Sequence, residues 1–268
     1  MPNINETKEV ARKVLPIIYV VDTSGSMFGD KIGAVNAAMV ETIDVLKDVS
    51  SKNPDAEVRV GVLKFSTNAE WVTKNGLEDL EDFFWGEDLE AGGLTDLGSA
   101  LNELNNKLTR SEYLVSDTGF CVPVIMFMSD GQPTDNYEKA LDNILVSNKW
   151  YKHATKIAIA VGDDADKDAL AKVVGNPEAV VGVTDVKTLR MLIKVASVTS
   201  SMINSKSRTT AEQNNAIEII KATKAELGDD ADDLEVNFDD DDSWATPTDT
   251  TTDSTDSSDD WDDDGDWD

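Results

Sequence analysis

Short, largely apolar and β-branched runs recur along this chain, at Leu15–Val21, Val58–Phe65, Val122–Met128, Lys156–Val161 and Ala179–Val183, with longer stretches of helical character between them. Strands this apolar must be covered on both faces, and strands alternating with helices imply βαβ units on a parallel sheet. The expected fold class is therefore α/β: a doubly wound, mostly parallel sheet with helices on both faces. Asp30–Val49 carries Ile32, Val35, Ala38, Met39, Ile43 and Leu46 close to the helical period, and Asn53-Pro54 ends the pattern. Further helices are expected at Leu97–Leu108, Asp135–Lys149, Lys167–Val174, Asp185–Ile203 and Thr210–Leu227, the last stopping at Gly228. Glu70–Lys74 follows the turn-forming Ser66-Thr67-Asn68, which suggests one antiparallel edge strand.

Charge divides the chain. Of its 53 acidic residues, 19 fall in 229–268, where there is no Lys or Arg, leaving 34 acidic against 24 basic residues before it. A segment of Asp, Ser and Thr cannot bury enough apolar surface to offset backbone ordering, at roughly 1–2 kcal/mol per residue. The expected organisation is an N-terminal extension over 1–11, an α/β domain over 12–203, a C-terminal helix over 204–228 and a disordered acidic tail over 229–268. With no basic patch to neutralise phosphates, nucleic acid is not an expected partner, whereas a basic protein surface is. Trp244, Trp261 and Trp267 are candidate partner anchors within the tail. Asp260, Asp262, Asp264 and Gly265 begin a calcium-loop pattern whose closing Glu is missing.

The single Cys121 suits a reducing compartment and is expected as a buried, inert thiol. Leu15–Val21 is too short for a signal-peptide core and runs into Asp22, and no uncharged stretch approaches the ~20 residues of a membrane span. The expectation is a soluble cytoplasmic protein with no membrane partner.

Candidate chemistry gathers behind the strands. Asp22, Ser24 and Ser26 directly follow Leu15–Val21, with Gly25 permitting a tight path; Asp130 follows Val122–Met128; Thr95 lies in a glycine-rich approach to a helix. In open α/β sheets, loops at the carboxyl ends of strands converge on ligands. All five groups offer oxygen and no His or Cys accompanies them, so the expected ligand is a hard cation, Mg²⁺, with Mn²⁺ or Ca²⁺ as alternatives, in preference to Zn²⁺. Three neutral hydroxyls leave the ion incompletely neutralised, with a position for a carboxylate from a partner. Asp96 reads as a helix N-terminal residue and Asp135 as a cap for the helix that follows it. His153, the only histidine, reads as a surface residue rather than a catalytic base.

Asp22-Thr23-Ser24-Gly25-Ser26-Met27, Thr95 within Gly93–Leu101, and Ser129-Asp130-Gly131-Gln132-Pro133-Thr134-Asp135 together resemble the three-part metal-ion-dependent adhesion site of von Willebrand factor A domains. The resemblance covers about residues 12–203. It implies that Ser24, Ser26 and Thr95 contact the metal and that Asp22 and Asp130 act directly or through water. It also implies a non-enzymatic module that presents the metal to a partner's Asp or Glu. Phe28-Gly29-Asp30-Lys31-Ile32-Gly33-Ala34-Val35-Asn36 further resembles bacterial cytoplasmic members associated with tellurite resistance and stress response. An adaptor for an AAA-type ATPase or chelatase-like machine is the alternative. A Mg²⁺-dependent phosphohydrolase is disfavoured because Ser24 stands where a phosphate-accepting Asp22 would want a second aspartate.

Overall fold

Nine of the ten residues of β1 (Lys13–Asp22) are buried, so this strand needs neighbours on both edges and cover on both faces. The computed structural model, which describes residues 12–74, 76–206, 212–232 and 234–236, supplies both. β1 leads through a 3₁₀ turn at Gly25–Met27 into α1 (Asp30–Lys52), then β2 (Ala56–Phe65), β3 (Ala69–Trp71) and β4 (Glu78–Asp79). After a long connection come α2 (Leu97–Lys107), β5 (Val124–Ser129), α3 (Tyr137–Ser147), α4 (Lys149–His153), β6 (Thr155–Val161) and α5 (Lys167–Val174). A 3₁₀ turn at Pro177–Ala179, β7 (Val180–Val183), α6 (Val186–Lys206), α7 (Glu212–Leu227), a 3₁₀ turn at Gly228–Ala231 and β8 (Leu234–Val236) complete the order.

The sheet runs β3-β2-β1-β5-β6-β7-β8, with β4 beside β3 on the edge of β2. β2, β1, β5, β6 and β7 are parallel, as their uniformly apolar sequences require. The chain leaves β1 toward β2 on one side and later returns to lay β5 on the other. The strand order therefore reverses at β1, and the crevice beyond its carboxyl end is where such sheets bind ligands. α1 and α7 flank α6, whose Ser197 Oγ accepts the buried Tyr19 hydroxyl of β1 at 2.8 Å. α2 packs beside α3, and α5 lies over β6 and β7.

The expected antiparallel edge is β3, paired with β2 from Leu63↔Trp71 to Phe65↔Ala69. Three expectations need correction. The single helix expected over Asp135–Lys149 is two, because the buried Asn148 turns its side chain on the backbone: it accepts from Tyr151 N–H at 2.9 Å and donates to the carbonyls of Asn105 and Leu108. Asp135 does not cap the helix after it; its Oδ2 accepts the Gly98 N–H at 2.9 Å, at the start of α2. A Cβ on Gly98 would fall 2.3 Å from that oxygen, so the contact requires glycine. Finally, the ordered chain does not stop at Gly228. β8 pairs antiparallel with β7, making the second edge antiparallel too, and Leu234 and Val236 border the same apolar space as Ile157, Val181, Leu192 and Ile220. Leu234 and Val236 are the aliphatic residues in this stretch, which is why the acidic composition did not prevent pairing. Residues 1–11 and 237–268, which hold the N-terminal extension, the tail tryptophans and the partial calcium-loop pattern, lie outside the described residues.

The connection from β4 to α2 has no regular structure, yet it sets where Thr95 lies. Leu80, Phe83, Trp85 and Leu89 are buried along it, and the buried Asn36 of α1 both donates to Leu89 O (3.0 Å) and accepts from Leu89 N (2.8 Å). Asp96 caps α2 by accepting from Ser99 N–H at 2.9 Å, which places its carboxylate close to Asp135.

Two outcomes follow from this architecture. Ending the chain after Gly228 removes β8 and most of the 3₁₀ turn before it, and the product should be less stable by about 2 kcal/mol, a Tm lower by roughly 5 °C, than a chain ended after Val236; equal melting of the two truncations would contradict the packing of this segment. Burial, and then the neighbouring Asp96 carboxylate, push Asp135 up to about 6. Folding thus favours its protonated form, a contribution fully present below the ordinary carboxylate range near about 4 and lost as pH rises through about 6. Asp135→Asn, neutral throughout, should flatten the pH dependence of Tm over that window in chelator, and an undiminished dependence would refute the assignment.

Candidate metal centre

Three loops and a turn are stitched together at the carboxyl edge of β1, β2 and β5. Thr23 N–H donates to Phe65 O (2.7 Å), tying the loop after β1 to the end of β2. Gly92 N–H donates to Thr23 O (2.8 Å) and Gly25 N–H to Gly93 O (3.1 Å), fastening the glycine-rich loop to the same segment. Asp96 N–H donates to Ser66 O (2.7 Å), and Thr95 and Thr134 exchange two bonds, Thr134 N–H to Thr95 O (2.9 Å) and Thr95 N–H to Thr134 Oγ1 (3.2 Å). Gly93, at φ 86°, is needed twice over: by its left-handed backbone and because a Cβ there would meet Thr67 Oγ1 at 2.6 Å.

This stitching brings all five oxygen-bearing side chains singled out in the sequence to one place. Ser24 Oγ lies 3.0 Å from Ser26 Oγ, and Ser26 Oγ donates to Asp130 Oδ1 at 2.7 Å. Thr95 Oγ1 and Ser26 Oγ flank Gly131, where a Cβ would be 2.9 Å and 3.3 Å from them respectively. Asp22 stands behind the hydroxyls: its Oδ1 accepts from Ser24 N–H (2.7 Å) and its Oδ2 from the Ser129 hydroxyl (2.5 Å). Asp22, Ser24, Thr95 and Asp130 are buried, and Ser26 is exposed, so the cluster opens to solvent on the Ser26 side.

The donors fit a hard cation. They are three hydroxyls and two carboxylates, all oxygen, beside a glycine whose missing side chain leaves the space that a Cβ would fill. Burial pushes the Asp22 carboxyl up, with the Asp130 charge adding to the shift, and a cation here would relieve both effects. Among the described residues no group of three or more His, Cys, Asp or Glu side chains could hold a metal ion, so a metal here must rely on hydroxyls.

Two residues that hold the cluster together escaped the sequence reading. Ser129 is detectable in principle, since β1 and β5 pair in parallel with Val21 opposite Met128, which puts Asp22 beside Ser129. Lys31, whose ammonium pairs with Asp130, carries no signal that separates it from any lysine in a first helical turn. His153 ends α4 just before β6, at the edge of the sheet opposite the cluster, and has no part in it. Cys121, near the start of β5, is half-buried rather than buried, and burial pushes its thiol up, away from the reactive thiolate. No helix among the described residues is long and apolar enough to cross a membrane.

No curated protein sequence matches the chain. Among solved structures it is similar to a von Willebrand factor type A protein from Catenulispora acidiphila, at 17% identity and TM-score 0.53, covering 70% of this chain and 42% of that one. It is also similar to proximal thread matrix protein 1 from the mussel byssus, solved with a zinc-occupied MIDAS motif, at 18% identity and TM-score 0.51, covering 68% and 47%. A third is the vWF domain of the type V pili tip protein Mfa5 from Porphyromonas gingivalis, at 12% identity and TM-score 0.52, covering 75% and 99%. The chain thus spans less than half the length of the first two, and at these identities the likeness is one of fold. The family model for the von Willebrand factor type A domain matches residues 17–195, from within β1 to within α6 and across every loop of the cluster, and the chain belongs to that family.

Proposed function

We propose that this chain is a metal-dependent protein-interaction module in which Ser24, Ser26, Thr95, Asp22 and Asp130 form an intact metal-ion-dependent adhesion site. The observation that carries the reading is the convergence of three hydroxyls and two carboxylates from three distant stretches, open to solvent at Ser26. Mg²⁺ is the ion we assign, with Mn²⁺ or Ca²⁺ as substitutes, because the donors are all hard oxygens. Bound there, the ion would act as a Lewis acid that accepts an Asp or Glu from a partner. The protein's own residues hold the hydroxyls in register, and Ser129 keeps Asp22 turned toward them.

The rim supports a protein partner rather than a small substrate. Phe28, 79% exposed, follows the Ser24–Met27 turn, and Leu94, 57% exposed, precedes Thr95. Two large apolar side chains beside a polar centre are what a partner covers when it binds. The acidic tail extends the binding repertoire to a basic protein surface. We place the module in the cytoplasm, in a stress-response setting of the tellurite-resistance kind, on the strength of the Phe28–Asn36 stretch and the lone cysteine.

Calorimetric titration with Mg²⁺ and Mn²⁺ tests the metal, and capture from lysate with and without chelator, read by mass spectrometry, tests its use. Thr95→Ala, and Gly131→Ala, which puts a methyl group into the space between Thr95 and Ser26, should each weaken metal binding at least about tenfold and abolish metal-dependent capture while Tm in chelator holds. Partners that remain bound in chelator, or that bind Thr95→Ala as well as wild type, would overturn the reading.

A further inference from the structure

Asp130 is shared between the hydroxyl cluster and a lysine. Its Oδ1 accepts from Ser26 at 2.7 Å, and its Oδ2 is paired with the Lys31 ammonium. Lys31 is the second residue of α1, and its side chain reaches Asp130 across the turn that follows β6. A Cβ on Gly162 would come within 3.1 Å of Lys31 Nζ and 3.3 Å of Lys31 Cε, so the end of the lysine lies close against this turn. Gly162 sits at φ 94°, where the backbone itself favours glycine. Asp164 also stands near the ammonium, its Oδ1 3.9 Å from Nζ.

These three groups form a gradient of exposure. The Asp130 side chain is 0% exposed, that of Lys31 29% and that of Asp164 81%. A buried carboxylate next to a second one, Asp22, is strongly unfavourable without a counter-charge. Lys31 provides it. A divalent cation among Ser24, Ser26 and Thr95 would set two further positive charges close to that ammonium, and at such separations like charges repel even in a well-screened site. Asp130 cannot serve both cations fully, and a second carboxylate lies ready at the solvent side for whichever cation leaves.

We infer that Lys31 is a built-in competitor of the metal: it neutralises Asp130 while the site is metal-free and passes to Asp164 when the ion enters. This rests on the metal reading given above. The device keeps the metal-free protein folded and sets metal affinity below what the oxygen ligands alone would give, so that occupancy responds to the supply of metal and of partner carboxylate.

The test is Mn²⁺ calorimetry on the full-length protein and on Lys31→Met, Asp164→Asn and Thr95→Ala, with melting curves in chelator for each. Lys31→Met, which keeps the aliphatic stem and removes the charge, should bind Mn²⁺ about tenfold more tightly, within the usual span of coupling between two sites. It should also melt lower than wild type in chelator and gain a larger rise in Tm on adding Mn²⁺. Asp164→Asn, which removes the receiving group, should bind a few-fold more weakly, roughly the lower end of the same span. Lys31→Met binding no tighter than wild type, while Thr95→Ala abolishes binding, would overturn the inference and leave the metal site standing, with Lys31 then serving only to position Asp130. Wild-type binding indistinguishable from Thr95→Ala would instead remove the metal reading, and the inference with it.

Discussion

The parallel register between β1 and β5 is the constraint on which the site depends. With Val21 opposite Met128, the ends of the two strands bring Asp22 level with Ser129 and, one residue on, Asp130 into the crevice. The 2.5 Å bond from the Ser129 hydroxyl to Asp22 is the direct product of that register. A slip of one residue would exchange the faces of every side chain on the strand and carry Asp22 away from its partner. The side chains on both faces of β1 are close-packed in the core, and that packing holds the register, so the hydrophobic core and the polar cluster are fixed by the same pairing.

What the core fixes at two loops, hydrogen bonding extends to the third. Thr95 comes from a connection without helix or strand, and its position is inherited from partners: Asn36 and Leu89 upstream, Thr23 and Gly25 through the glycines, Thr134 across the crevice. Such a loop is held by the hydrogen bonds of its backbone to neighbouring segments and by the burial of Leu80, Phe83, Trp85 and Leu89, and not by regular structure. The result is a preorganised set of oxygens in an otherwise strongly acidic protein of net charge −29. The acidity draws cations in general. Among the described residues no group of three or more His, Cys, Asp or Glu side chains could hold a metal ion, so the cluster's oxygens are mainly hydroxyls.

Much of this was legible in the sequence because two different signals agreed. Apolar runs gave the five parallel strands, and the residues just beyond two of them gave Asp22, Ser24, Ser26 and Asp130; Lys167–Val174 even matched its helix end to end. The misses have physical causes. β8 was hidden by the acidic composition around Leu234 and Val236, since composition averages over a window in which two aliphatic residues decide the pairing. The break at Asn148 was hidden because helical periodicity continues through it, while the buried amide takes its bonds from three separate backbone positions. Asp135 was assigned to the wrong helix because α2 lies 37 residues earlier in sequence and only the folded chain brings Gly98 to it. Lys31 left no trace, for its meaning lies in Gly162 and Asp164 at the end of a distant strand.

The most direct test of the central claim is where a metal goes. Crystals grown with Mn²⁺, examined by anomalous scattering at the manganese edge, should show one strong peak bordered by Ser24, Ser26 and Thr95, with Asp22 and Asp130 around it. A peak elsewhere on the acidic surface, or none in that crevice at saturating Mn²⁺, would contradict the account.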